Sequence, residues 1–331
     1  MNRVFGVALL LLFEITCPYL AWPAESPKSG TLSFVLENDF FYGTDRHYTN
    51  GVRLVWVPGR DASTPEWAIK MAHLVPWFPE PGKIRHGYAL GQSVFTPTDI
   101  TVANPPLWDR PYAGWLYGTI EVSVESGRQL DQFAITLGMV GPASLVEQTQ
   151  NFVHTVIGSR ASRGWDTQLG NEPGIVATYQ RSWRGLAAAT VSGIRLDVTP
   201  HLGAALGNVF TYANTGFTVR IGQQLPNDSG PPRVQPGISG SGDSSPTSDF
   251  DWYLFAGIEG RAVARNIFLD GNTFGDSRSV DKEPLVGDLQ FGVVLDLSGT
   301  RLSYTHVLRT REFTTQHGND GFGAIAVSVR L

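Results

Sequence analysis

The feature that most constrains this chain is a hydropathy pattern. Stretches of about ten residues alternate apolar and polar side chains, and past the first residues no run approaches the ~18 apolar residues of a membrane helix. TLSFVLE, YTNGVRLVWV, YALGQSVF, GWLYGTIEVSV, QFAITLGMV, WYLFAGIEGRA, RLSYTHVL and FGAIAVSVRL all carry it. In the last of these Ile325, Val327, Val329 and Leu331 share one face, and Ala324, Ala326, Ser328 and Arg330 the other. One face suits lipid and the other water. Charged residues make up 17% of the chain, against roughly 25% in ordinary soluble domains, while aromatics reach 11%. A secreted β-sandwich also alternates. The low charge and the spread of the pattern over so many segments favour an all-β, transmembrane antiparallel β-barrel of about 12 strands.

The strands are read at about 31–37, 48–57, 86–95, 115–125, 131–139, 174–182, 190–206, 214–222, 250–265, 284–297, 300–313 and 321–331. An even count puts both termini in the periplasm, so connections after odd-numbered strands face outward. Two inward connections, 58–85 and 223–249, are longer than periplasmic turns usually are. Arg3, the apolar run Val4 to Phe13 and small residues near Ala24 have the layout of a signal peptide over 1–24, leaving 25–331 as one barrel domain. Cys17, the one cysteine, falls in that leader, so no disulfide, thiolate metal site or cysteine nucleophile is expected. A net charge of −5 without a basic run gives no reason to propose nucleic acid.

Three outward connections are rich in polar groups. LENDFFYGTDRHYTNG puts Asn38 and Asp39 where the first strand ends and Thr49 and Asn50 where the second begins. Carboxylate, amide and hydroxyl oxygens meeting there suit a hard cation such as calcium. These residue types equally suit turns and strand ends, the reading preferred for Asp45 and Asn50. The stretch GPASLVEQTQNFVHTVIG predicts a short helix over the extracellular rim, with Ser144 and Glu147 at capping-box spacing and an apolar stripe through Phe152. Its polar face carries Glu147, Asn151 and His154, with Gln150 or Asn151 a turn earlier as an orienting partner. An imidazole there is a candidate general base, and a solvated helix-end histidine is the plain alternative. In WDRPYAGW, Arg110 could grip a phosphate or pair with Asp109, and Trp115 could join an interfacial belt.

Taken in order, LENDFF, YTNG, DRPYAGW, GMVGP with HTVIG, GWDTQLGNEPG, TPHLGAALGNVFTYANTG and RTREF resemble the outer-membrane lipid A 3'-O-deacylases (LpxR type), from about residue 30 to the end. The resemblance implies a twelve-stranded barrel of the bacterial outer membrane. It also implies calcium-dependent hydrolysis releasing the 3'-linked acyloxyacyl chain of lipid A. His154 becomes the general base acting on water, Asp39 a calcium ligand, and Asn38 and Thr49 part of the catalytic set. Arg160 stands where the family carries an acidic residue, which leaves Glu172 of GNEPG as the further candidate metal ligand. The expected partners are lipid A or lipopolysaccharide and outer-membrane lipid, and the barrel is expected to be a monomer. A non-catalytic or pore-type barrel, and a lipid esterase of other specificity using Ser144 or Ser159, are the alternatives.

Overall fold

A computed structural model describes residues 30–43, 46–80, 82–157, 160–226, 234 and 250–331. The expected leader, Asp45, Ser159 and most of 223–249 lie outside the described residues. The strands are β1 (Thr31–Asn38), β2 (His47–Val57), β3 (Lys83–Thr96), β4 (Ala113–Ser126), β5 (Gln129–Val140), β6 (Glu172–Trp183), β7 (Ala187–Val191), β8 (Ile194–Gly207), β9 (Phe210–Gly222), β10 (Phe250–Asn266), β11 (Leu285–Leu297), β12 (Thr300–Arg309) and β13 (Asp320–Arg330). Each is antiparallel to its neighbours, and the sheet closes through β13 on β1 and β6 on β8. The short β7 continues β6 past a bulge. Ser182 faces His201 and Ala187 faces Val198, so Trp183 to Leu186 stand against Thr199 and Pro200 alone. The barrel therefore has twelve staves. The expected strand 190–206 divides at Ser192 and Gly193, whose φ of 51° and 82° give the tight turn that joins twisted strands.

Alternation sorts the side chains as the sequence implies. Ser33, Val35 and Glu37 of β1 are buried inside while Phe34 is exposed outside. On β3, Ser93 and Phe95 turn inward and Leu90, Gln92 and Val94 outward. Inward residues from most staves, among them Tyr48, Phe95, Trp115, Tyr117, Tyr212 and Phe322, form one apolar cluster in the lumen. The turn of helix after β10 adds Phe268, which stacks on Phe95 at 4.0 Å between ring centroids. Such a pair contributes about 0.5–1.5 kcal/mol beyond the area it buries. Trp115 belongs to this cluster, not to an outer aromatic belt.

Both long connections at the terminal end have somewhere to go. Helix α1 (Glu66–His73) lies on the outer face of the wall, where Ala68 and Met71 pack on Val122 beside Phe133 and Ile135. The chain after it is latched there. Arg181 donates to the Trp77 carbonyl at 2.7 Å and to Asp131, which also accepts from Tyr179. Val234, from the β9–β10 connection, sits in the lumen against Val35 and Ala326 and donates its N–H to Glu37 at 2.8 Å. At the other end, helix α2 (Val146–Ile157) follows β5 and helix α3 (Ile267–Asp270) follows β10. Side chains interlock the loops of this crown.

Candidate active site

The β1–β2 hairpin end is built by local hydrogen bonds. Asn38 caps a 3-10 turn, Asp39–Tyr42, by accepting the Phe40 N–H at 2.8 Å, and Gly43 with φ 80° ends it. Asp39 is buried, and its Oδ2 accepts the Arg46 N–H at 2.6 Å. Asn38 faces Asn50 across the ladder, so Thr49 stands beside it on the returning strand. Between β2 and β3 the register shifts at Thr49, since Tyr48 faces Phe95 and Asn50 faces Val94. The freed Thr49 hydroxyl shares a 2.6 Å hydrogen bond with Thr96. Asn38 and Asp39 thus stand where β1 ends, Thr49 stands near the start of the neighbouring strand, and Thr96 joins Thr49.

Helix α2 supplies the imidazole. It docks at the rim, on the outer side of the crown ends of β3 and β4. Val146 packs with Val94, Tyr112 and Trp165. It sits so close to the wall that a Cβ on Gly114 would lie 1.9 Å from its Cγ2, so glycine is required there. The capping box does not form, because Ser144 Oγ donates to the Gly141 carbonyl at 2.5 Å. Val146, Gln150 and His154, four residues apart, are the buried face of α2, while Asn151 and Phe152 are exposed. Phe152 is 70% exposed and His154 only 7%, the reverse of the amphipathic expectation.

Two contacts fix the polar groups of this face. His154 Nδ1 lies 2.6 Å from the Arg160 carbonyl oxygen. A carbonyl only accepts, so Nδ1 carries a proton, and in the neutral ring the lone pair is on Nε2. The Arg160 side chain itself is exposed. Gln150 Oε1 accepts the Trp165 indole N–H at 2.9 Å, which turns its amide nitrogen the other way. That nitrogen is buried without a hydrogen-bond partner among the described residues. Tyr112 braces Trp165 at 4.7 Å between rings, and its hydroxyl donates to the Ile100 carbonyl at 3.1 Å. The expected orienting partner of the histidine is thus replaced by a backbone carbonyl. Gln150 serves another purpose, which its spacing of four from His154 could have signalled.

Glu172 does not join this group. It opens β6, which the sheet order separates from β1 by β5, β4, β3 and β2. Asn208 Nδ2 donates to one of its oxygens at 2.8 Å. The Thr273 N–H and Asn272 Nδ2 donate to the other at 2.7 and 3.1 Å. It ties crown loops together. Among the described residues no three His, Cys, Asp or Glu side chains cluster closely enough to hold a metal by themselves. Arg110 is wholly buried over the Phe95 ring, 3.4 Å from Glu312, and so grips neither phosphate nor Asp109. Burial pulls its guanidinium below the ordinary value, against the opposing effect of Glu312, Asp320 and Asp109.

Residues 6–331 match the family described as outer membrane protein LpxR. The solved structure of LpxR from Salmonella typhimurium superposes with a TM-score of 0.72 at 20% identity, covering 90% of this chain and 99% of that one. The β domain of the Bordetella autotransporter BrkA gives a TM-score of 0.41 at 9% identity, covering 91% of this chain and 97% of that one. No curated protein matches the chain.

Proposed function

The chain belongs to the LpxR family of outer-membrane proteins, and on that premise we propose that it is a lipid A deacylase acting from the outer wall of its barrel. The observation that carries this reading is the His154–Arg160 contact, which holds a buried imidazole by its Nδ1 and leaves Nε2 free to take a proton. The helix that carries it packs on the outer face of the wall, which faces lipid, where acyl esters are.

The reaction is ester hydrolysis. His154 Nε2 takes a proton from water as the water oxygen bonds to the ester carbonyl carbon. The Gln150 amide, which has no partner among the described residues, is a donor available to the carbonyl oxygen as negative charge develops on it. The carbon–oxygen bond to the sugar then breaks. The imidazolium returns its proton to the departing sugar oxygen, which leaves a fatty acid and a free hydroxyl. The 3'-linked acyloxyacyl chain is the group we propose to be released.

The oxygen donors at the β1–β2 end fit calcium as a weak site. Asp39 would supply the carboxylate, and Asn38 and Thr49 neutral oxygens, while Glu172 is committed elsewhere. One carboxylate gives little charge for a divalent ion, so an affinity towards the ~10⁻⁴–10⁻³ M end of protein calcium sites is expected. When bound, the cation would act as a Lewis acid polarising the ester carbonyl.

Mass spectrometry of lipid A incubated with the detergent-solubilised protein tests the reading. Expected is loss of a 3'-linked acyloxyacyl mass that needs calcium, disappears on chelation and disappears in His154→Ala. Because residue 160 contributes its carbonyl, Arg160→Ala should keep activity within about twofold, as surface changes usually do. Unchanged lipid A under every condition, from protein shown to be folded by heat-modifiable gel mobility, would reject the deacylase.

A further inference from the structure

We propose that a cleft on the crown, lined by Trp108, Arg311, Thr314, Thr315, Gln316 and His317, is a binding subsite for the anionic sugars that lipopolysaccharide carries beyond its lipid A. The ligand class rests on the deacylase reading; the site rests on the following geometry. The cleft has a volume of about 340 Å³, enough for a sugar ring with its substituents. Its wall is the Trp108 indole, 52% exposed, with the His317 ring edge-on at 6.4 Å. Sugar C–H faces stack on such rings while their hydroxyls need donors and acceptors around the edge, and Thr314, Thr315 and Gln316 provide these.

The indole is held in place. Thr315 Oγ1 donates to the Trp108 carbonyl at 2.5 Å, joining the β12–β13 and β3–β4 loops. Arg278 donates to the Pro105 and Pro106 carbonyls at 2.7 Å, so the chain leading to Trp108 is fixed as well. A preset cleft binds with less ordering cost than a loose one. Charge comes from Arg311, whose side chain is 50% exposed and lies 3.2 Å from Glu283. A half-open guanidinium suits a carboxylate or phosphate on the sugar.

Position ties the cleft to the proposed reaction. The two loops meet above the end of the β1–β2 hairpin, on His47. That residue bonds Asp320 through Nδ1 at 2.5 Å and Thr98 through Nε2 at 3.1 Å, and packs edge-on against Phe313. His47 opens β2 two residues before Thr49. A lipid whose ester reaches the Asn38–Thr49 end would carry its outer sugars towards this crown.

The test separates sugar binding from hydrolysis. Saturation-transfer NMR would use the His154→Ala protein in detergent with the fully deacylated oligosaccharide of lipopolysaccharide, and a neutral glucan and inorganic phosphate as comparison ligands. Signals are expected from the acidic oligosaccharide. Binding should be about fivefold weaker in Trp108→Ala, the loss of one stacked ring, and recovered in Trp108→Phe. Arg311→Ala should weaken the acidic oligosaccharide and leave the neutral glucan unaffected. In the active protein, Trp108→Ala should raise KM about fivefold for lipopolysaccharide and leave sugar-free lipid A unchanged. Equal oligosaccharide binding with and without the indole, or binding of phosphate alone, would overturn the subsite even where hydrolysis is observed. Sugar binding without any hydrolysis would keep the subsite and reject the deacylase.

Discussion

At the residue scale, the informative contrast is between Asn38–Asp39 and the face of α2. The hairpin residues were legible because strand alternation fixes where a strand runs out, and Asn38 and Asp39 fall at that point whichever role they serve. The helix is harder to read, because periodicity gives its two faces and not which of them meets the wall. A helix laid on the outer wall of a membrane barrel meets lipid on its free side, so Phe152 turns out and Gln150 and His154 turn in. Polarity on the buried side is costly unless satisfied, and among the described residues the Gln150 amide is a buried donor of this face with no hydrogen-bond partner. Gln150→Ala should therefore lower kcat by about 10²-fold, the order found for a lost oxyanion donor. Gln150→Glu, which keeps an acceptor for Trp165 and removes the donor, should fall equally far. Single-turnover rates on lipid A measure both. If Gln150→Glu retained wild-type rates, the residue would matter only as a brace for Trp165.

Elements were easier to find than to bound. Ten-residue alternation located twelve staves, but the bulge that sets β7 apart leaves no mark, since Ser182 to Val191 reads as continuous strand and turn residues. The placement of α2 was hidden for a different reason. Its docking depends on Gly114, a residue that in sequence is one of many glycines in strands and that only the close approach of Val146 singles out. Gly114→Val should force α2 off β3 and β4 while leaving the stave itself intact, valine being well suited to strands. The expected outcome is loss of lipid A hydrolysis with unchanged heat-modifiable mobility and unchanged far-ultraviolet circular dichroism. Activity within twofold of wild type would show that α2 need not sit where the structure has it.

For the whole molecule, the two long terminal-end connections, awkward for a barrel with short periplasmic turns, resolve into opposite uses of the wall. One carries α1 onto the outside, and the other sends Val234 up the inside as far as Glu37. Sequence periodicity speaks about strands and is silent about where a connection folds back, which is why neither was foreseeable. The inside is filled further. Asp288 takes paired hydrogen bonds from Arg309 at 2.9 Å, Arg309 and Arg110 both reach Glu312, and the aromatic cluster around Phe95 and Phe268 closes the mouth above them. Such a network of buried charges is held by mutual satisfaction and would have to be broken to admit an ion. A lumen filled in this way is unfavourable to steady ion flow. Purified protein inserted in planar bilayers should show no steady conductance above the lipid baseline. Removing the stacked ring by Phe268→Ala, with Arg110→Ala to open the charged layer beneath it, should produce measurable opening. Steady conductance by the unaltered protein would mean that the lumen filling yields readily, and would return the pore to consideration whatever the outer wall does.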